Sequence, residues 1–143
     1  MKKNHNFKKI LVGLDGSKNS IRALNYAIAL AEQTNASITG LFVIQIYPTE
    51  MGLVRTVRGK ASSKHYKNFM NKANTMCTKK GVHFIEALKY GEEGRTIVSF
   101  SQKNNFDLIV IGSRGMGKLG EFFFGSTSNY VVHSSKIPVL IIK

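Results

Sequence analysis

Residues 106–143 read FDLIVIGSRGMGKLGEFFFGSTSNYVVHSSKIPVLIIK, and the order of textures in this stretch decides the fold. FDLIVIG is a short continuous apolar run, as expected of a strand buried on both faces. A glycine-rich loop follows. STSNYVVHSS then opens a helix on hydroxyl residues, and PVLIIK supplies a final strand.

The same texture recurs toward the N-terminus. FKKILVGLD (Phe7 to Asp15) reads as a buried strand, and GSKNSIRALNYAIALAEQTN as a helix with Ile21, Leu24, Ile28 and Ala31 at helical spacing. Ser17 or Ser20 is the expected N-cap. ASITGLFVIQIYP (Ala36 to Pro48) is a second β-branched run, and Thr49 to Gly59 shows little periodicity, so a mobile loop is expected there. In Lys60 to Lys80, Tyr66, Phe69, Met70, Ala73 and Cys77 form one apolar stripe that Gly81 terminates. VHFIEALKYG alternates as a strand. EEGRTIVSFSQKNN starts a helix with Glu92 and Glu93, whose charge suits a helix N-terminus, and buries Ile97, Val98 and Ser101. The predicted order is βαβαβαβαβ: an α/β chain with an open parallel sheet and helices on both faces, residues 1–143 forming one domain.

Composition narrows the class. The chain is 43% hydrophobic and 20% charged, and no apolar run approaches the about 20 residues that span a bilayer. The basic N-terminus carries too short an apolar stretch for a signal peptide, so a cytoplasmic protein without membrane attachment is expected. The single cysteine, Cys77, falls on the apolar stripe and reads as a buried, inert thiol. The formal charge is +13, and Arg55 to Lys89 holds nine basic residues against one acid, Glu86. That face is either a solvated surface or a weak contact for nucleic acid or an acidic protein. His5, His65, His83 and His133 lie on separate elements without metal-ligand spacing, and no Ser–His–Asp or Cys–His set can be assembled from the strand ends.

In open parallel sheets ligands bind beyond the carboxyl ends of the strands, where the strand order reverses. The glycine loop belongs to that region. Gly112, Gly117 and Lys118 imitate a P-loop, but Leu119 stands where a Ser or Thr hydroxyl should hold magnesium, and Gly120 disfavours the required helix. A second pattern fits better. Gly112 and Gly115 are followed by Gly125, Ser126, Thr127 and Ser128 where the last helix begins, so close-approaching backbone and unpaired helix amides would form two jaws around a polyphosphate.

This G-x2-G-x9-G-[ST] spacing resembles that of the ATP-binding branch of the universal stress protein family. The resemblance extends over KKILVGLDGS, GLFVI and the whole stretch from Asp107 to Lys143. It implies a Rossmann-like five-stranded sheet of order 3-2-1-4-5, with ATP bound at the carboxyl ends of strands one and four. By position, Gly13 and Asp15 would lie on the ribose or adenine side, and Val43 would offer backbone contacts to adenine. Gly112, Arg114, Gly115, Gly125, Ser126 and Thr127 would surround the ribose and phosphates. Magnesium would be held mainly through the nucleotide. Many relatives carry proline where Gly13 stands, so a looser first loop is expected. The resemblance also implies a homodimer joined through the C-terminal strand.

Three functions follow as expectations: a nucleotide-dependent regulatory protein of the stress response, whose 113–124 loop is ordered by ligand; a slow ATPase or phosphotransferase using the same site; and an ATP-independent polyanion-binding protein using the basic face.

Overall fold

The computed structural model describes residues 6–48, 54–56, 59–115 and 124–143. Strand β1 (Lys9–Leu14) sits at the centre of a parallel sheet, between β2 (Ser37–Ile44) and β6 (Leu108–Gly112). Its alternation divides the core. Ile10, Val12 and Leu14 face α1 (Lys18–Thr34) and α2 (Gly59–Thr78), and Leu11 faces α3 (Glu93–Lys103) and α4 (Ser126–Ser134). A strand flanked on both sides must be apolar on both faces, which explains its continuous apolar run.

The remaining parallel strands are β5 (Phe84–Tyr90), outside β2, and β7 (Val139–Ile142), outside β6. The sheet order is therefore β5-β2-β1-β6-β7, or 3-2-1-4-5 when the five parallel strands are counted along the chain. The helix that joins β1 to β2 packs on one face, and those joining β5 to β6 and β6 to β7 pack on the other. Register is pinned at the amino ends, where Asp107 Oδ2 accepts from the amides of Lys8 and Lys9, each at 2.9 Å.

The helices form for local reasons. Ser17 caps α1 by accepting from the Ser20 amide at 3.1 Å, and Asn35 ends it in the left-handed region. On α2 the stripe Tyr66, Phe69, Met70, Ala73 and Cys77 is buried, and Gly81, at φ 69°, lets the chain turn out. Burial pushes the Cys77 thiol up to about 11, so it is protonated at neutral pH. Glu92 caps α3, accepting from the amides of Gly94 and Arg95 at 3.1 and 3.0 Å.

One segment differs from expectation. The run Ala36 to Pro48 is two strands: β2 stops at Ile44, and β3 (Ile46–Pro48) leaves the sheet to pair antiparallel with β4 (Val54–Thr56). Part of the Thr49 to Gly59 stretch is thus a strand. The break falls where β2 loses its partner, since Ile44 is paired with Tyr90 and its carbonyl accepts from Gly91 at 3.1 Å as β5 ends.

Candidate functional site

Strands β1 and β6 are paired neighbours, yet the chain leaves β1 toward β2 and leaves β6 toward β7. Their carboxyl ends therefore open onto a crevice. Asp15 is the first residue past β1. Its Oδ1 accepts from the Ser17 amide at 2.8 Å, an arrangement that holds the turn. Its Oδ2 reaches across to the glycine loop: a Cβ added to Gly115 would lie 2.5 Å from it. Only a residue without a side chain lets the carboxylate and this backbone meet. Gly112, at the end of β6, makes a similar approach to α1, since a Cβ there would stand 2.9 Å from Asn19 Cβ and 3.0 Å from its carbonyl carbon.

The loop after β6 closes at a neck. The buried Ser113 donates its amide to the Ile142 carbonyl at 2.7 Å, and its own carbonyl accepts from the Gly125 amide at 2.8 Å and from Ser128 Oγ at 2.9 Å. Gly125 is the N-cap of α4, without a side-chain cap bond. The first-turn amides of α4 thus open beside the neck without a bond from a capping side chain.

Asp15, Gly112 and Gly115 converge, and Gly125 joins them through Ser113. Gly13 lies within β1, where a Cβ would meet Ile111 Cγ2 at 3.0 Å on the α3 face. Val43 also lies within its strand, one step beyond the last β1–β2 pair, Leu14 with Phe42. Because Ser37 bonds to Lys8 and Ile38 to His83, odd-numbered residues of β2 turn their backbone groups toward β1. The Val43 carbonyl therefore faces the crevice side. Arg114 is half-buried on the loop and Ser126 exposed at the first position of α4.

The cap of α4 is Gly125, and the three hydroxyls that follow it differ in role: Ser128 Oγ is turned inward to Ser113, and Thr127 Oγ1 donates to Glu93 Oε2 at 3.1 Å. Phe124 is exposed, while Lys118, Leu119, Phe122 and Phe123 lie outside the described residues.

Glu93, whose charge suits the helix start, also belongs to the crevice. Burial, followed by the nearby Asp15 carboxylate, holds its carboxyl above the usual glutamate range, against the opposing pull of the Thr127 bond. His65 of α2 is a second residue without an assigned role. Its Nε2 lies 2.7 Å from the position of a Cβ on Gly16, over the Asp15–Ser17 turn. Among the described residues no three His, Cys, Asp or Glu side chains gather as a metal site, and no helix is long and apolar enough to cross a membrane.

Comparison with known proteins agrees with this architecture. The family model described as the universal stress protein family matches residues 6–143. Universal stress protein YxiE of Bacillus subtilis is 31% identical over 153 aligned positions, covering 96% of this chain and 99% of its own. The structure of universal stress protein UspA from Lactobacillus plantarum superposes with a TM-score of 0.83 at 25% identity, covering 96% of this chain and 99% of that one. A universal stress protein from Archaeoglobus fulgidus, solved in complex with dAMP, superposes with a TM-score of 0.74 at 23% identity over 96% and 99% of the two chains. The match of the family model to nearly all of the sequence, on this sheet order, makes the chain a member of the universal stress protein family.

Proposed function

We propose that this protein binds ATP, carried as its magnesium complex, in the crevice between the carboxyl ends of β1 and β6, and acts as a nucleotide-dependent regulatory protein of the stress response in the cytoplasm. The observation that carries the reading is the meeting of Asp15 with Gly115 beside the α4 N-terminus. A carboxylate there is suited to hydroxyl and amino donors of a nucleoside. Closely approaching backbone and unpaired helix amides are suited to its phosphates. Gly13 underlies the crevice within β1, Val43 offers its carbonyl to the base, and Arg114, Ser126 and Thr127 flank the phosphates. The dAMP complex of the Archaeoglobus fulgidus relative supports a nucleotide as ligand class. Magnesium enters on the phosphates, which in this reading supply its ligands.

The protein's work is binding. Ligand contacts made by one arrangement of the glycine loop and not by another shift the population between them, and a partner reads the difference. Asp15 lies toward the nucleoside instead of the transferring phosphate, so turnover is slow. Comparing ATP hydrolysis by the wild type and Asp15→Ala tests this: a large loss of a substantial rate would establish an enzyme. The edge strand β7, with Leu140 38% exposed, is the proposed homodimer seam. Lys64, Lys67, Lys72, Lys79 and Lys80 are exposed on and just after α2, which favours, as a second reading, weak polyanion binding whose affinity falls steeply with salt and ignores ATP.

A further inference from the structure

The N-termini of α3 and α4 lie side by side because Gly94 has no side chain: a Cβ there would come within 2.9 Å of Tyr130 Cδ1 and 3.1 Å of its Cβ. This approach carries Glu93 onto the first turn of α4, where it accepts the Thr127 hydroxyl. Glu92, one residue earlier, behaves differently. It is exposed, caps its own helix and has Arg95 Nε 3.6 Å away. Glu93 is turned inward, and the charged groups that act on it, Asp15 from the β1–α1 turn and Glu92 from its own helix, are both acidic. From α4 it meets the neutral Thr127, and the described part of the glycine loop contributes one cation, Arg114.

Two consequences follow for an anion at the α4 N-terminus. The Thr127 hydroxyl is engaged by a carboxylate, and the jaw that the helix amides make favourable to phosphate carries a negative charge when Glu93 is ionised. We propose that Glu93 is the specificity-determining residue of this site, setting how many phosphate charges it accepts. Ionised, Glu93 favours adenosine and AMP over free ATP. Protonated, it presents a neutral carboxyl and admits the polyphosphate. The proposal rests on the crevice being a nucleotide site. Burial and Asp15 hold the Glu93 carboxyl above the ordinary range, which brings its change of charge closer to neutrality than that of an exposed glutamate.

The test is calorimetric titration of adenosine, AMP and magnesium-free ATP into wild type, Glu93→Gln and Glu93→Ala, across about pH 4.5 to about pH 8. Gln keeps an acceptor for Thr127 and removes the charge. The expected result at the higher pH is ATP affinity raised about tenfold in both variants, with adenosine affinity held within about twofold. The wild-type preference for ATP over adenosine should fall with pH more steeply than that of the Gln variant, which reports the titration of ATP itself. Equal shifts for adenosine and ATP, or no shift, in folded variants overturn the role of Glu93 while leaving the nucleotide site standing. Failure of all three folded proteins to bind any of the ligands overturns the nucleotide reading, and this proposal with it.

Discussion

Replacing Gly115 by alanine separates the crevice from the scaffold beneath it. The new Cβ would lie 2.5 Å from Asp15 Oδ2, whereas a close carbon–oxygen contact is about 3.3 Å, so the carboxylate must retreat by roughly 0.8 Å. Its other oxygen is held by the Ser17 amide at 2.8 Å, and the retreat stretches or breaks that bond. A hydrogen bond to a charged group contributes about 1.5–3 kcal/mol, which corresponds to roughly 10- to 150-fold in affinity for a ligand that needs Asp15 in place. Stability carries the cost of the same bond, offset by about 0.4–1 kcal/mol because alanine at this exposed position narrows the unfolded ensemble, so the variant should lose at most about 2.6 kcal/mol and stay folded. Gly112→Ala is the contrasting perturbation. Its Cβ meets the Asn19 Cβ, carbonyl carbon and carbonyl oxygen at 2.9–3.1 Å, a helix backbone that cannot swing aside, and overpacking of this kind costs about 1–3 kcal/mol. That lowers Tm by roughly 3–10 °C. Calorimetric titration with ATP and magnesium, paired with scanning calorimetry of both variants, reads the two effects. Wild-type affinity in a folded Gly115→Ala protein would mean that the ligand does not need Asp15 in place.

Three further outcomes are expected. Cys77 is fully buried with its thiol pushed up to about 11, so a thiol reagent at neutral pH should label the native protein at least roughly 100-fold more slowly than the urea-unfolded chain; fast native labelling would contradict the packing of α2. The raised Glu93 carboxyl binds its proton more tightly in the folded state than in the unfolded one, so stability relative to Glu93→Gln should be greatest at low pH and decline as pH climbs from about 4.3 through the raised value. Urea midpoints check this, and a wild-type gain with rising pH would reverse the sign. Met70, fully buried on the α2 stripe, should cost about 2–5 kcal/mol on replacement by alanine, measured by the same midpoints; a loss below about 1 kcal/mol would mean a core loose enough to collapse.

The parallel sheet was legible because its signals are local: β1, β2 and β6 are continuous apolar runs, and α1 and α2 place their buried residues at helical spacing. The β3–β4 pairing was not legible, because Ile46 and Tyr47 continue the β-branched and aromatic texture of β2, and the break comes from β5 ending opposite Ile44. Asp15, Gly112 and Gly115 could be found from the rule that ligands collect at strand ends. Ser113 gives no such signal, since its role in closing the neck depends on contacts with residues 125, 128 and 142 brought by the fold. Glu93 was hidden for another reason. Two successive glutamates at a helix start look alike in sequence, and only the packing of Gly94 on Tyr130 turns one of them into the crevice.

Calorimetric titration of ATP with magnesium into wild-type protein shown by absorbance to be nucleotide-free decides whether the crevice at the ends of β1 and β6 holds a nucleotide. Saturable binding at one site per chain is expected. A folded protein that takes up no nucleotide would rule the crevice out as a nucleotide site.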